Sequence, residues 1–191
     1  MVRLWSGVVN IFVTDPDPIQ SAKNLCDVHV VKMSVETAQL LSAAHIVCDD
    51  VQVAYRKTHH NHPCAVWVRA SRANYIWAWQ HLAALLAEYE YRFNKRHKTA
   101  DWLEALRKVP TMPDIGLTRF AVAMPEHLRQ DDVCASYRRY LLVKLTEWRG
   151  RERRMNTGFT YREVPAFLLT VSPRYFPQIN LGVVKCQEIK L

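Results

Sequence analysis

Apolar residues recur at intervals of three and four along most of this chain, whereas strict apolar–polar alternation is rare, so the pattern predicts helices rather than strands. Asp17 followed by Pro18 is a helix-start signature. Ile19, Ala22, Leu25, Cys26, His29, Met33, Leu40 and Ala44 then fall on one face, which predicts a helix over about residues 18 to 46. Asp49-Asp50 through His62-Pro63 breaks the pattern and reads as a loop. A second long helix is expected to open near Pro63 and to run through Trp67, Tyr75, Leu82 and Leu86 to about Phe93. A shorter one follows from Thr99 as cap through Arg107. Pro110, Pro113, Gly116 and Pro125 mark an irregular connector, packed by Ile115, Phe120 and Met124, before a helix over about residues 131 to 148. The expected fold is all-α: a single compact domain of two long helices packed with two or three shorter ones.

Composition narrows the class. With 49% hydrophobic content over 191 residues the chain can bury one substantial core, and 23% charged residues exclude a disordered or fibrous protein. Lys and Arg number 26 against 18 Asp and Glu, and the resulting charge of +8 is the footprint of a protein that meets a polyanion, which favours nucleic acid. Acidic and basic residues interrupt every apolar run before it reaches a membrane-spanning length, and the N-terminal stretch, broken by Ser6-Gly7, makes a poor signal peptide. The five cysteines are odd in number and lack Cys-x-x-Cys spacing. They read as reduced, mostly buried thiols of a cytoplasmic protein.

Two constellations carry candidate chemistry. His29, Lys32 and Glu36 stand at i, i+3 and i+7, so one helix face offers a base, an amine and a carboxylate beside Val30, Val31 and Val35. Such surroundings tune groups for acid–base or Schiff-base work. A plainer reading is also open, in which Lys32 and Glu36 form a surface ion pair and His29 is a satisfied core histidine. The second constellation is the loop Tyr55 to Pro63 with the helix after it. Arg56, Lys57, His59, His62, Arg69, Arg72 and Asn74 supply positive charge and polar hydrogens next to a helix start, which suits phosphate. His59, His60 and His62 lack the i, i+4 spacing of a helical zinc pair, so no metal is assigned and no cofactor is required. Of Trp67, Tyr75, Trp77 and Trp79, at most one or two can line a base-stacking site. The run Arg138, Arg139, Lys144, Arg149, Arg151, Arg153 and Arg154 is either a DNA-backbone clamp or a solvated helix face.

Asp27-x-His29 with Glu36 seven residues after the histidine, the stretch Tyr55 to Pro63 ending in Asn61-His62-Pro63, and Glu88-Tyr89 to Tyr91-Arg92-Phe93 resemble the pyrimidine-dimer DNA glycosylase family, the ultraviolet endonucleases, over about residues 10 to 95. The pattern also resembles uncharacterised phage-encoded proteins. The resemblance implies a glycosylase-like helical core, with residues 96 to 191 completing the domain. It further implies an enzyme that flips a nucleotide out of DNA and cleaves the glycosidic bond. The family's nucleophile is the processed N-terminal amine, which forms an imine with the sugar, and its helix glutamate stabilises positive charge. Glu36 matches that glutamate, His29 the DNA-contacting histidine, and Val2 would carry the amine. Lys32, one turn from both, is a substitute amine. The expected partner is DNA, or a nucleotide. The alternatives are an enzyme acting on a nucleotide or small phosphorylated metabolite through the same groups, and a basic DNA-binding protein without catalysis.

Overall fold

Asp17 caps the first helix as its chemistry dictates, its carboxylate accepting the Ile19 N–H at 3.0 Å with Pro18 in the first turn. The computed structural model describes residues 9–150 and 155–169. Among them lie α1 (Pro18–Lys23), α2 (Asp27–Asp49), α3 (Pro63–Ala70), α4 (Arg72–Phe93), α5 (Val133–Arg149) and α6 (Ala166–Leu169), with short 3-10 turns at Lys98–Trp102, Ala105–Arg107 and Glu126–Leu128. No strand occurs among the described residues, and the fold is all-α.

Each predicted long helix is in fact two. The first breaks at Asn24–Cys26, where the Arg92 guanidinium donates to the carbonyls of Leu25 at 2.7 Å and Lys23 at 3.1 Å. No side chain caps the start of α2. Its first free amides are taken instead by a distant segment, Asp27 N–H by Gly158 C=O at 2.9 Å and Val28 N–H by Asn156 C=O at 3.0 Å. The second breaks at Ser71, whose extended backbone (φ −153°, ψ 147°) ends α3 while its hydroxyl accepts the Ala73 N–H and so opens α4. The short helix expected from Thr99 is a 3-10 turn capped one position pair earlier, by His97, and Thr99 is buried with its hydroxyl on Tyr55. The connector is irregular as expected, but Ile115 does not pack it: that side chain is 67% exposed, while Phe120 rests on Trp67 and Trp77 and Met124 is buried.

α2 packs along α4, with α1 against α4 and α3 seated on both. α5 completes the core through Tyr137, Leu141, Leu145 and Trp148. Through the middle runs an irregular segment whose every residue from Val9 to Thr14 is buried. Phe12 within it holds the left-handed conformation (φ 48°), stacked on Tyr140 and tilted against His29 and Tyr137. A non-glycine residue kept there is strained, and the surrounding rings over-determine it.

Asp27, Glu88, Arg92 and Arg162 join these elements in a largely buried ion cluster. Arg92 reaches Asp27 at 3.2 Å and Glu88 at 3.0 Å, Arg162 reaches Glu88 at 2.7 Å, and Thr160 donates to Asp27 at 2.7 Å through its hydroxyl. Opposite charges balance in number, and nearly every lone pair finds a donor, which burial of ions requires.

Candidate active site

Glu36 points inward from α2 and is 7% exposed. One oxygen lies 3.1 Å from Lys32 Nζ and the other accepts the backbone N–H of Asn10 at 3.0 Å. Burial pushes its carboxyl above the ordinary value, opposed by the positive charge of Lys32, the Asn10 N–H and His59. The Tyr55 N–H donates to Ser42 Oγ at 3.2 Å, which ties the start of the Tyr55–His62 segment to α2.

Asn10 holds this corner together. Its amide oxygen accepts from Ile11 N–H at 2.7 Å and Phe12 N–H at 3.3 Å, and its amide nitrogen donates to Ala123 C=O at 2.8 Å. Tyr137 on α5 donates to Ala121 C=O at 2.8 Å and accepts from Ala123 N–H at 3.3 Å. The connector and α5 therefore reach the carboxylate through Asn10. Neither Asn10 nor Tyr137 stands out in the sequence, where the one signal is a single polar residue inside the apolar run Val8–Val13.

The predicted residues fall in different places. Lys32 and Glu36 are together. His29 is not on their exposed face: it is 1% exposed, enclosed between the tilted rings of Phe12 and Trp148 at 4.6 Å each, with Cys26 Sγ 3.3 Å from Nδ1. Burial, with Lys32 and Lys144 nearby, pushes its pKa down to about 3, so it is neutral and presents no cation beside Lys32. Arg56, Lys57 and His59 are exposed on the loop, and His59 is a second left-handed residue (φ 48°). His62 caps α3, accepting the Cys64 N–H at 3.3 Å, and Arg69 donates to the carbonyl of His60. Arg72 is exposed at the start of α4, a helix-length of about 12 Å from the His62 end of α3. Asn74 is fully buried, its amide committed to Trp67 C=O and Thr118.

Trp67, Tyr75 and Trp77 belong to the core, and Trp79 donates to Leu103 C=O. In the C-terminal basic run, Arg138 binds Thr14 C=O and Asp15, Lys144 pairs with Glu147, and Arg149 donates to Thr157. Arg151, Arg153 and Arg154 lie outside the described residues, as do Val2 and Cys186. The other four cysteines are free thiols.

The buried histidines set an expected pH profile. His29, at about 3, and His81, at about 4 through burial, stay neutral in the folded chain, whereas the unfolded chain protonates both below about 6.5. The unfolded state thus binds more protons in that window. Stability should fall as pH drops from about 6.5 toward 4, on the order of 1 kcal/mol per pH unit for each ring. Urea unfolding followed by circular dichroism at stepped pH checks this, and a flat profile would show that these rings are not held neutral.

The site is thus a buried carboxylate on a helix with an amine at contact distance. Residues 9–101, just under half of the chain, match the family model for pyrimidine dimer DNA glycosylase, so the resemblance is to that family of enzymes. Neither the curated proteins nor the solved structures contain a significant match. No helix among the described residues is long and apolar enough to cross a membrane, and none of them form a group of three metal ligands.

Proposed function

We propose that this protein is a DNA glycosylase acting on damaged pyrimidines, with Glu36 as its catalytic carboxylate. The observation that carries the reading is that the stretch matching the glycosylase family holds Glu36 buried, with Lys32 at 3.1 Å. In the reaction, an amine attacks the first carbon of the sugar as the glycosidic bond breaks. The base leaves with the bonding electron pair and takes a proton while the attacking nitrogen loses one; the sugar's ring carbon–oxygen bond then opens, its oxygen taking a proton, as the nitrogen lone pair forms the C=N bond of the protonated imine. A carboxylate set against the sugar stabilises the positive charge that develops there, and low local dielectric strengthens the effect.

Arg56, Lys57, His59, His62, Arg69 and Arg72 would hold the phosphates around a flipped nucleotide, while His29 and Asn74 act from within, one packing the helix face and the other fixing the connector. Flipping costs a few kcal/mol, least for a damaged or weakly paired base. The amine is Lys32 or a chain α-amine. The fold sets one backbone nitrogen on Glu36, that of Asn10.

The test is glycosidic-bond cleavage in duplex DNA carrying a cyclobutane pyrimidine dimer, read as a strand break at the resulting abasic sugar on a denaturing gel after mild alkali, beside a salt titration of binding. Cleavage at the dimer is expected, with affinity falling steeply in salt, by about 0.9 in log K per log unit of salt for each phosphate contact. Salt-sensitive binding without cleavage would make the protein a non-catalytic binder. A flat salt response would point to a small phosphorylated substrate.

A further inference from the structure

Ile115 and Leu117 are 67% and 52% exposed, the largest apolar side chains that the connector offers to solvent. They flank Gly116, whose φ of +79° puts it in the left-handed region with nothing within 4 Å of where a side chain would start. Exposed apolar residues on a loose loop would fold down onto the neighbouring core. This tip is not loose. On its entering side Arg72 N–H donates to Pro113 C=O at 2.8 Å, and at its centre the Ser71 hydroxyl donates to Gly116 C=O at 2.6 Å. On its leaving side the Asn74 amide clamps Thr118 twice, at 2.8 and 2.9 Å. Both legs are fixed to the α3–α4 junction, so two apolar side chains are held outward at the cost of their hydration.

The surroundings are cationic. Arg72 and Arg119 are exposed on the two legs of the tip, Arg119 donating to the carbonyl of exposed Asp131 at 3.1 Å, and Asp114 is the exposed acid on the loop itself. From the tip the connector runs on to Ala123, whose carbonyl holds Asn10 and through it Glu36. From Gly116 to Ala123 is seven residues of chain, at most about 25 Å, so the tip and the Glu36 corner are joined by one short stretch of connector.

We propose that Ile115 and Leu117 form a wedge that enters the base stack of DNA and fills the gap a flipped nucleotide leaves, with Arg72 and Arg119 on the flanking phosphates. The inference rests on the DNA reading given above. Apolar wedges between base steps offset unstacking by burying their own surface, and a rigid mount keeps that surface available before DNA arrives. The wedge lies beyond the family-matched residues 9–101, so it is a feature that the second half of the chain adds.

The experiment uses the full chain and its Ile115→Ala/Leu117→Ala double variant with a duplex carrying a pyrimidine dimer and 2-aminopurine beside it, whose fluorescence rises on unstacking. Both side chains are exposed, so the thermal melt should be unchanged, and Ile115→Leu with Leu117→Met should retain the signal. The wild type is expected to bind with a steep salt dependence and to raise the fluorescence. The double variant should keep the salt slope while the opening equilibrium falls about tenfold or more. An unchanged fluorescence rise in the double variant overturns the wedge. So does a loss of salt slope with no effect on opening, which would make the tip a backbone contact. If the wild type shows no salt-sensitive DNA binding, the DNA reading fails first and the wedge with it.

Discussion

Glu36→Gln is expected to lower glycosidic cleavage by about 10² to 10⁴-fold while leaving the fold intact. Glutamine keeps the shape of the side chain and a carbonyl oxygen for the Asn10 N–H, but carries no charge to set against a developing cation. Burial already strains the charged form of Glu36, raising its pKa, so a neutral isostere removes a group that folding does not favour. Lys32 loses the ion pair with Glu36 but is 22% exposed as a side chain and can be hydrated. Stability should therefore change little, within about 1 kcal/mol, as for other partly exposed ion pairs. Single-turnover glycosidic cleavage and urea unfolding on the same preparation separate the two effects. Equal turnover in variant and wild type would remove Glu36 from the chemistry.

The largest loss of stability is expected at Arg92. Its guanidinium is fully buried and makes contacts to Asp27, Glu88, Leu25 C=O and Lys23 C=O. Arg92→Ala would leave Asp27 and part of Glu88 buried with less compensation and would free the two carbonyls of the α1–α2 turn. Removing one partner of a buried ionic group costs about 3 to 5 kcal/mol, far more than a surface pair. The same group resists acid. Glu88 is buried, which alone would raise its pKa, yet Arg162 and Arg92 hold it below the usual carboxylate range, so its contribution persists above that range and is lost as pH falls through the lowered value. Denaturant midpoints for Arg92→Ala check the magnitude, and a change under about 1 kcal/mol would mean that the cluster is not a unit.

Arg92 also shows what a sequence hides. The periodicity from Ile19 to Ala44 reads as one helix because the apolar face continues across Asn24–Cys26. What interrupts it is a guanidinium supplied from α4 and amide partners supplied from Asn156 and Gly158, residues over a hundred positions away. Ser71 was the fairer chance, since a serine inside a helical pattern is also a start signal, and here it caps α4. The pairing of Lys32 with Glu36 was legible from i, i+4 spacing alone. His29 was not, because the rings that enclose it come from Phe12 and Trp148, on segments that no helical wheel relates. Asn10 and Tyr137 are hidden for the same reason, and Ile115 reads as packing the connector because apolarity alone cannot say which way a clamped loop faces.

The most direct test of the central claim is borohydride trapping on duplex DNA carrying a pyrimidine dimer, with undamaged duplex and Glu36→Gln beside it. A covalent protein–DNA adduct on damaged duplex alone, lost or much reduced in the variant, is the predicted result, and peptide mass spectrometry would then name the amine as Lys32 or a chain α-amine. Glycosidic cleavage without an adduct would contradict the imine route, and neither adduct nor cleavage would contradict the assignment of this site to glycosylase chemistry.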